Sequence, residues 1–277
     1  MKVVLFCGGL GMRLRDYSDR IPKPLINIGY RPILWHVMKY YAHYGHHDFI
    51  LCLGYGADAI KNYFLNYNEC LSNDFVLSQG GKNLQLLASD IHDWKITFVD
   101  TGIASNIGQR LKAAEKYLAG EDVFLANYGD GLTDAPLPAQ LDQFRRHGKV
   151  ASLLCVKPNL SYHFVSTDQH DLVENLTDVR ESQVRINGGY FIFKRDIFSY
   201  IHDGEDLLYE PFQRLTKEGN LAAYKYDGFW VSLDTFKDKQ MLDELHSRGS
   251  APWEVWKQPI EECVSEGARP PRMSSEI

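Results

Sequence analysis

No run of about 18 apolar residues occurs in the 277-residue chain, so no membrane-crossing helix is expected. No secretory leader is expected either, because the single early lysine is followed by an apolar stretch that glycines interrupt at once. There is no surplus of positive charge. Lys and Arg number 30 against 36 Asp and Glu, a net charge of −6, which excludes nucleic-acid binding through a broad basic face. Cysteine is scarce: Cys7, Cys52, Cys70, Cys155 and Cys263 are odd in number and show no paired spacing. That argues against a zinc centre or a disulfide framework and for reduced thiols in the cytoplasm. Internal repeats are absent. What remains is a chain with 44% hydrophobic residues, enough for the full core of a soluble intracellular protein.

Two familiar phosphate-loop spacings are missing too. A dinucleotide loop needs G-x-G-x-x-G and an acidic residue about 20 positions on. Here Gly9-Leu10-Gly11 is followed by Leu14 where the third glycine would stand, and Asp16 comes too soon. The Walker A spacing is also absent. In their place, the apolar run Val3-Val4-Leu5-Phe6-Cys7, a buried strand by its pattern, enters Gly8, Gly9 and Gly11. Glycines let backbone N–H groups approach and cradle an anion. Arg13 adds a planar cationic fork, and Lys23 sits on backbone stiffened by Pro22 and Pro24. Together they make a polyphosphate grip.

Downstream, helices are expected over residues 32–45, 57–66, 107–118, 207–217 and 234–248, and strands over 49–53, 95–100, 123–126, 150–156, 190–193 and 221–226. Alternating strands and helices predict an α/β, doubly wound, mostly parallel sheet with ligands beyond the strands' carboxyl ends. Residues 67–94 break the rhythm as an insertion with short strands, residues 157–185 are polar and poorly periodic, and the polar tail 258–277 is expected to be flexible. His36, His43, His46 and His47 straddle a helix and its exit, with Tyr44 where a zinc protease carries glutamate, so no metal cluster is expected there. Phe229-Trp230 reads as core, and the basic run 145–149 as a solvated helix end.

The stretch Gly8-Gly9-Leu10-Gly11-Met12-Arg13-Leu14 with Pro22-Lys23-Pro24 resembles the signature of the sugar-phosphate nucleotidyltransferases, and within them the glucose-1-phosphate cytidylyltransferases. The similarity continues in order through residues 32–38, Gly54-Tyr55-Gly56, Val99-Asp100-Thr101-Gly102, Tyr128-Gly129-Asp130-Gly131, Ile186-Asn187-Gly188-Gly189, Gly228-Phe229-Trp230 and Asp234-Thr235, covering about residues 1–257. The resemblance implies a Rossmann-like nucleotidyltransferase domain over 1–257, with the insertion near a subunit interface of a homo-oligomer. It implies transfer of CMP from CTP to a sugar 1-phosphate, glucose 1-phosphate by default, with release of pyrophosphate.

The same resemblance assigns roles. Arg13 would hold the β- and γ-phosphates, and Lys23 would bridge the α-phosphate and the incoming sugar phosphate. Leu5, Gly8, Gly9, Gly11 and Met12 would contact the nucleotide, as would Thr101, Gly108 and Arg110. Tyr128, Arg180, Arg185 and Asn187 would face the acceptor. Asp130 and Asp234, two carboxylates expected at one sheet edge, would hold Mg2+, a hard cation suited to carboxylate and phosphate oxygens.

Two departures stand out. Met12 replaces the usual threonine and offers no hydroxyl. The family's Glu-Lys-Pro becomes Asp178-Val179-Arg180, with Tyr162-His163-Phe164 in place of the preceding Phe-Gly turn. A different acceptor or nucleotide, or a non-catalytic nucleotide and sugar-phosphate sensor, are the competing readings.

Overall fold

The computed structural model describes residues 1–9, 21–159 and 162–257. Gly11, Met12, Arg13 and the tail 258–277 lie outside the described residues. The opening apolar run is β1 (Lys2–Phe6). A two-residue ladder, β2 (Asn27–Ile28) with β3 (Arg31–Pro32), leads into α1 (Ile33–His43). Then come β4 (Asp48–Leu53) and α2 (Ala57–Leu65). The insertion folds as a hairpin, β5 (Phe75–Ser78) and β6 (Asn83–Leu86). After it follow β7 (Lys95–Asp100), α3 (Ile107–Ala114), β8 (Val123–Asn127), β9 (Gly131–Thr133), α4 (Leu137–His147) and β10 (Ala151–Val156). The aperiodic segment carries a second hairpin, β11 (His163–Thr167) and β12 (Val173–Asp178). The described chain closes with β13 (Ile186–Lys194), α5 (Glu210–Lys217), β14 (Leu221–Tyr226), β15 (Trp230–Ser232) and α6 (Phe236–Ser247).

One seven-stranded sheet, in the order β14-β10-β13-β8-β1-β4-β7, organises these elements. Its neighbours pair in parallel except β13, which runs antiparallel to both β10 and β8. Helices cover both faces, which is why the strands read as unbroken apolar runs. In β1, Val3 and Leu5 point into the core under α1 and α4, while Val4 and Phe6 point into the core under α3 and α5.

The structure moves several boundaries. The sheet's α5 starts at Glu210 rather than 207, because Leu207 is buried in a preceding turn where the Asp206 carboxylate takes the Leu208 amide. The helix α6 starts after Thr235, whose hydroxyl and Asp238 cap each other. Only the basic end of α4 was expected; its start behind Pro136 and its buried Leu137, Gln140, Leu141 and Phe144 carry the helical spacing. The insertion is tied to the body by the buried Arg31, which reaches Asp90 at 3.2 Å and the Asn68 carbonyl at 2.9 Å, and covers the Tyr67 ring at 4.1 Å.

Among the described residues no group of three potential metal ligands converges, at the histidines or elsewhere. His36 is a core residue. Trp253 can only donate, so its indole N–H at 3.3 Å makes His36 Nδ1 the acceptor, and Nε2–H donates to the Ile28 carbonyl at 3.0 Å. Burial of this neutral ring lowers its pKa from 6.5 to about 4. Below pH 6.5 the unfolded chain therefore binds a proton that the folded protein excludes. Stability is full above about pH 6.5 and falls by up to about 1.4 kcal/mol per pH unit until about pH 4. His46, partly buried and also lowered to about 4, acts in the same direction. The thermal unfolding midpoint should drop between pH 6.5 and 4, and less steeply in His36→Gln; equal slopes in the two proteins would contradict this account.

Candidate functional site

A cavity of about 700 Å³ opens beyond the carboxyl ends of β1, β7 and β8. Its walls come from the Cys7-Gly8-Gly9 turn, Lys23-Pro24, residues 103–107 and Tyr128 with Asp130, closed by Asp206, Leu208 and Asp234. Ligand clefts in doubly wound sheets form at this edge because loops diverge there while the strands below stay fixed.

Lys23 stands at the centre. Its ammonium donates to Asp130 Oδ2 at 2.7 Å and to Asp234 Oδ1 at 2.9 Å. The lysine is fixed by a single turn in which the Leu25 amide bonds the Pro22 carbonyl at 2.8 Å. The aspartates converge because β9 and β15 form their own ladder, pairing Gly131 with Ser232, and because the Leu233 amide bonds the Asp130 carbonyl at 2.9 Å. Asp234 also accepts from the Ser232 hydroxyl at 2.5 Å. Burial alone would lower the Lys23 pKa, but the two carboxylates outweigh it and hold the ammonium above its usual value.

The glycine turn is held from behind. Arg110, 2% exposed, donates to the carbonyls of Gly8 at 3.0 Å, Leu53 at 3.1 Å and Ile103 at 3.3 Å, and to the Thr101 hydroxyl at 2.5 Å. A side chain on Gly8 would overlap the Arg110 guanidinium, so glycine is required for this close approach. Among the described residues no carboxylate pairs with Arg110, and burial lowers its pKa. Thr101 and Arg110 thus link β4, the residues after β7 and the Gly8 turn. Tyr128 lines the cavity, and its hydroxyl accepts from Asn187 Nδ2 at 3.2 Å, which brings Asn187 to the same wall.

Thr101 and Asn187 do not line the cavity themselves but bond Arg110 and Tyr128, which do, and four further expected residues sit elsewhere. Leu5 is fully buried in the core and its backbone is paired on both sides, so it supports the Gly8 turn from below. Gly108 is needed for packing: a Cβ there would overlap the Glu205 carbonyl. Arg180 pairs with Asp178 beside it, and Arg185 with Asp227 at 2.7 Å and the Tyr226 carbonyl at 3.0 Å. None of these four lines the cavity. Sequence reasoning missed Ser105 and Asn106, which the helix start capped by Asn106 could have flagged, and Asp206, which had no local signal.

A family model described as nucleotidyl transferase matches residues 2–242. The chain belongs to the nucleotidyl transferase family. It is 36% identical over 270 residues to the glucose-1-phosphate cytidylyltransferase of Salmonella typhimurium, an alignment taking in 93% of this chain and 100% of that one. The solved UDP-glucose pyrophosphorylase complexed with UDP-glucose superposes with a TM-score of 0.64 over 90% of this chain and 98% of that one, at 14% identity. HddC from Yersinia pseudotuberculosis gives a TM-score of 0.64 over 88% of this chain and 99% of that one, at 22% identity. At these identities the structural likeness establishes the nucleotidyltransferase fold alone.

Proposed function

We propose that this nucleotidyltransferase is a Mg2+-dependent cytidylyltransferase that moves CMP from CTP to glucose 1-phosphate, or a closely similar sugar 1-phosphate, and releases pyrophosphate. The similarity to a glucose-1-phosphate cytidylyltransferase over nearly the whole chain supports the substrates. The observation that carries the chemistry is the Lys23 ammonium shared by Asp130 and Asp234 at the cavity floor. In the reaction, an oxygen of the sugar phosphate bonds to the α-phosphorus of CTP as the bond to pyrophosphate breaks. Two anions must meet for this, so a mobile cation between them is the first requirement. Lys23 supplies it by turning from the carboxylates to the phosphates, while the Gly8 and Gly9 turn receives the nucleotide and Arg13 its β- and γ-phosphates.

Asp130 and Asp234 fit a divalent ion, because two carboxylates that converge on one cation within 2.9 Å offer hard oxygen donors to another. They would hold Mg2+, which when bound neutralises the triphosphate and polarises its α-phosphate. Tyr128 and Asn187 would face the acceptor. With Arg180 and Arg185 committed to neighbouring carboxylates, a changed acceptor is the second reading.

The enzyme is proposed to act in the cytoplasm as one domain over 1–257. Among the described residues no helix is long and apolar enough to cross a membrane. A homo-oligomer is proposed because the β5–β6 hairpin and the residue after it expose Leu77, Leu84 and Leu87 at 49% or more, and a lone two-stranded hairpin is marginal in water.

CTP with glucose 1-phosphate and Mg2+ should release pyrophosphate, and Lys23→Ala or Asp130→Ala should lower kcat/KM by about a thousandfold. Activity only with another acceptor would select the second reading, and silence with every acceptor alongside nucleotide binding would leave a sensor. Light scattering should report more than one chain per particle; a monomer would remove the oligomer from the proposal.

A further inference from the structure

One carboxylate in the cavity has no task in the chemistry above. Asp206 lies on the wall formed by the loop before α5 and shares the cavity with Tyr128. Asp130 and Asp234 are both bound to Lys23, but no cation pairs with Asp206 among the described residues. One of its oxygens takes the Leu208 amide at 3.2 Å, which leaves most of its lone pairs available.

The loop holds this side chain firmly. Leu207, the next residue, is fully buried, and Glu205, the preceding one, is paired with Arg214. The Glu205 carbonyl sits against Gly108 so closely that a Cβ could not be accommodated, and Asn106 Nδ2 donates to the Gly204 carbonyl at 3.0 Å. Anchors on both sides fix Asp206 as a rigid presenting group.

The charge says what it can meet. A carboxylate repels phosphate, so Asp206 is unsuited to the triphosphate, which belongs with the Gly8 turn and Lys23. It suits neutral O–H donors. Two sets enter such a site, the ribose of the nucleotide and the ring of the acceptor. Asp206 acts electrostatically on the Tyr128 phenol, whose pKa is raised first by burial, and that phenol is the group holding Asn187. Tyr128 and Asn187 are the residues proposed above to face the acceptor. Asp178, in the segment Asp178-Val179-Arg180, is tied to Arg180 outside the cavity and offers no carboxylate to it.

We propose that Asp206 is a specificity-determining residue that accepts hydrogen bonds from ring hydroxyls of the sugar 1-phosphate. The inference rests on the sugar-phosphate transfer proposed above. It makes hydroxyl recognition a property of the loop before α5 rather than of the 157–185 segment. A site built to bond a hydroxyl discriminates strongly against the deoxy analogue, because the buried partner is left unpaired.

The test compares wild type with Asp206→Asn and Asp206→Ala in pyrophosphate release, using CTP with glucose 1-phosphate and its monodeoxy analogues. Calorimetric CTP binding accompanies each protein and serves as the check on folding. Asp206→Ala should raise KM for glucose 1-phosphate about tenfold or more, with CTP affinity within about twofold of wild type. At least one deoxy analogue should be poor for wild type yet equal to glucose 1-phosphate for Asp206→Ala. Unchanged acceptor KM in both variants would overturn the inference while leaving the transferase intact. Weakened CTP binding in both would assign Asp206 to the nucleotide and overturn it too. A wild type inactive with every sugar 1-phosphate would overturn the function, and this inference with it.

Discussion

Two carboxylates at neighbouring strand ends cannot share a small space without a cation between them. Two like unit charges about 4 Å apart repel by about 4 kcal/mol at an effective dielectric of about 20. The β9–β15 ladder nonetheless brings Asp130 and Asp234 together, and Lys23 relieves the repulsion by donating to both. The rest of the site depends on that arrangement. The Pro22-Lys23-Pro24 turn is rigid so that the ammonium meets both acceptors, and it rests against Gly56, where any side chain would strike Pro22. In the proposed reaction, this ammonium would leave the carboxylates to lie between the two phosphates.

The second constraint is the backbone of the glycine turn. Arg110 answers it, with no counter-ion among the described residues, by filling its donors with carbonyls from three segments and one hydroxyl. Carbonyl dipoles stabilise a buried guanidinium less than a carboxylate would, which leaves the cavity wall beside Gly8 electropositive. The cavity therefore joins a cation held by neutral groups to a lysine held by acids.

Much of this was legible in the sequence. The apolar strands of the parallel sheet, the glycine turn after β1 and the convergence of Lys23, Asp130 and Asp234 on one edge all follow from local patterns and the resemblance they carry. The pairing of β9 with β15 was not legible, because three-residue strands have no period to detect. Arg180 and Arg185 were expected to face the acceptor because sequence shows a charge but not its partner; in the structure they pair with Asp178 and Asp227, away from the cavity. Gly108 resembled a ligand contact and is a packing contact, since sequence cannot tell what approaches a glycine. Asp206 was missed for the converse reason: its position comes from Leu207 and Glu205 being anchored on different elements, a tertiary property.

In the proposed reaction centre, one ammonium and one divalent cation are served by the same pair of carboxylates. The most direct measurement is Mn2+ binding to nucleotide-free protein by electron paramagnetic resonance, comparing wild type with Lys23→Met. Removing the competing ammonium should tighten Mn2+ binding by about tenfold or more, the size of one close charge interaction in a partly exposed site. Equal or weaker binding in the variant would mean that Asp130 and Asp234 do not form a common cation site, and the account of the reaction centre would be wrong.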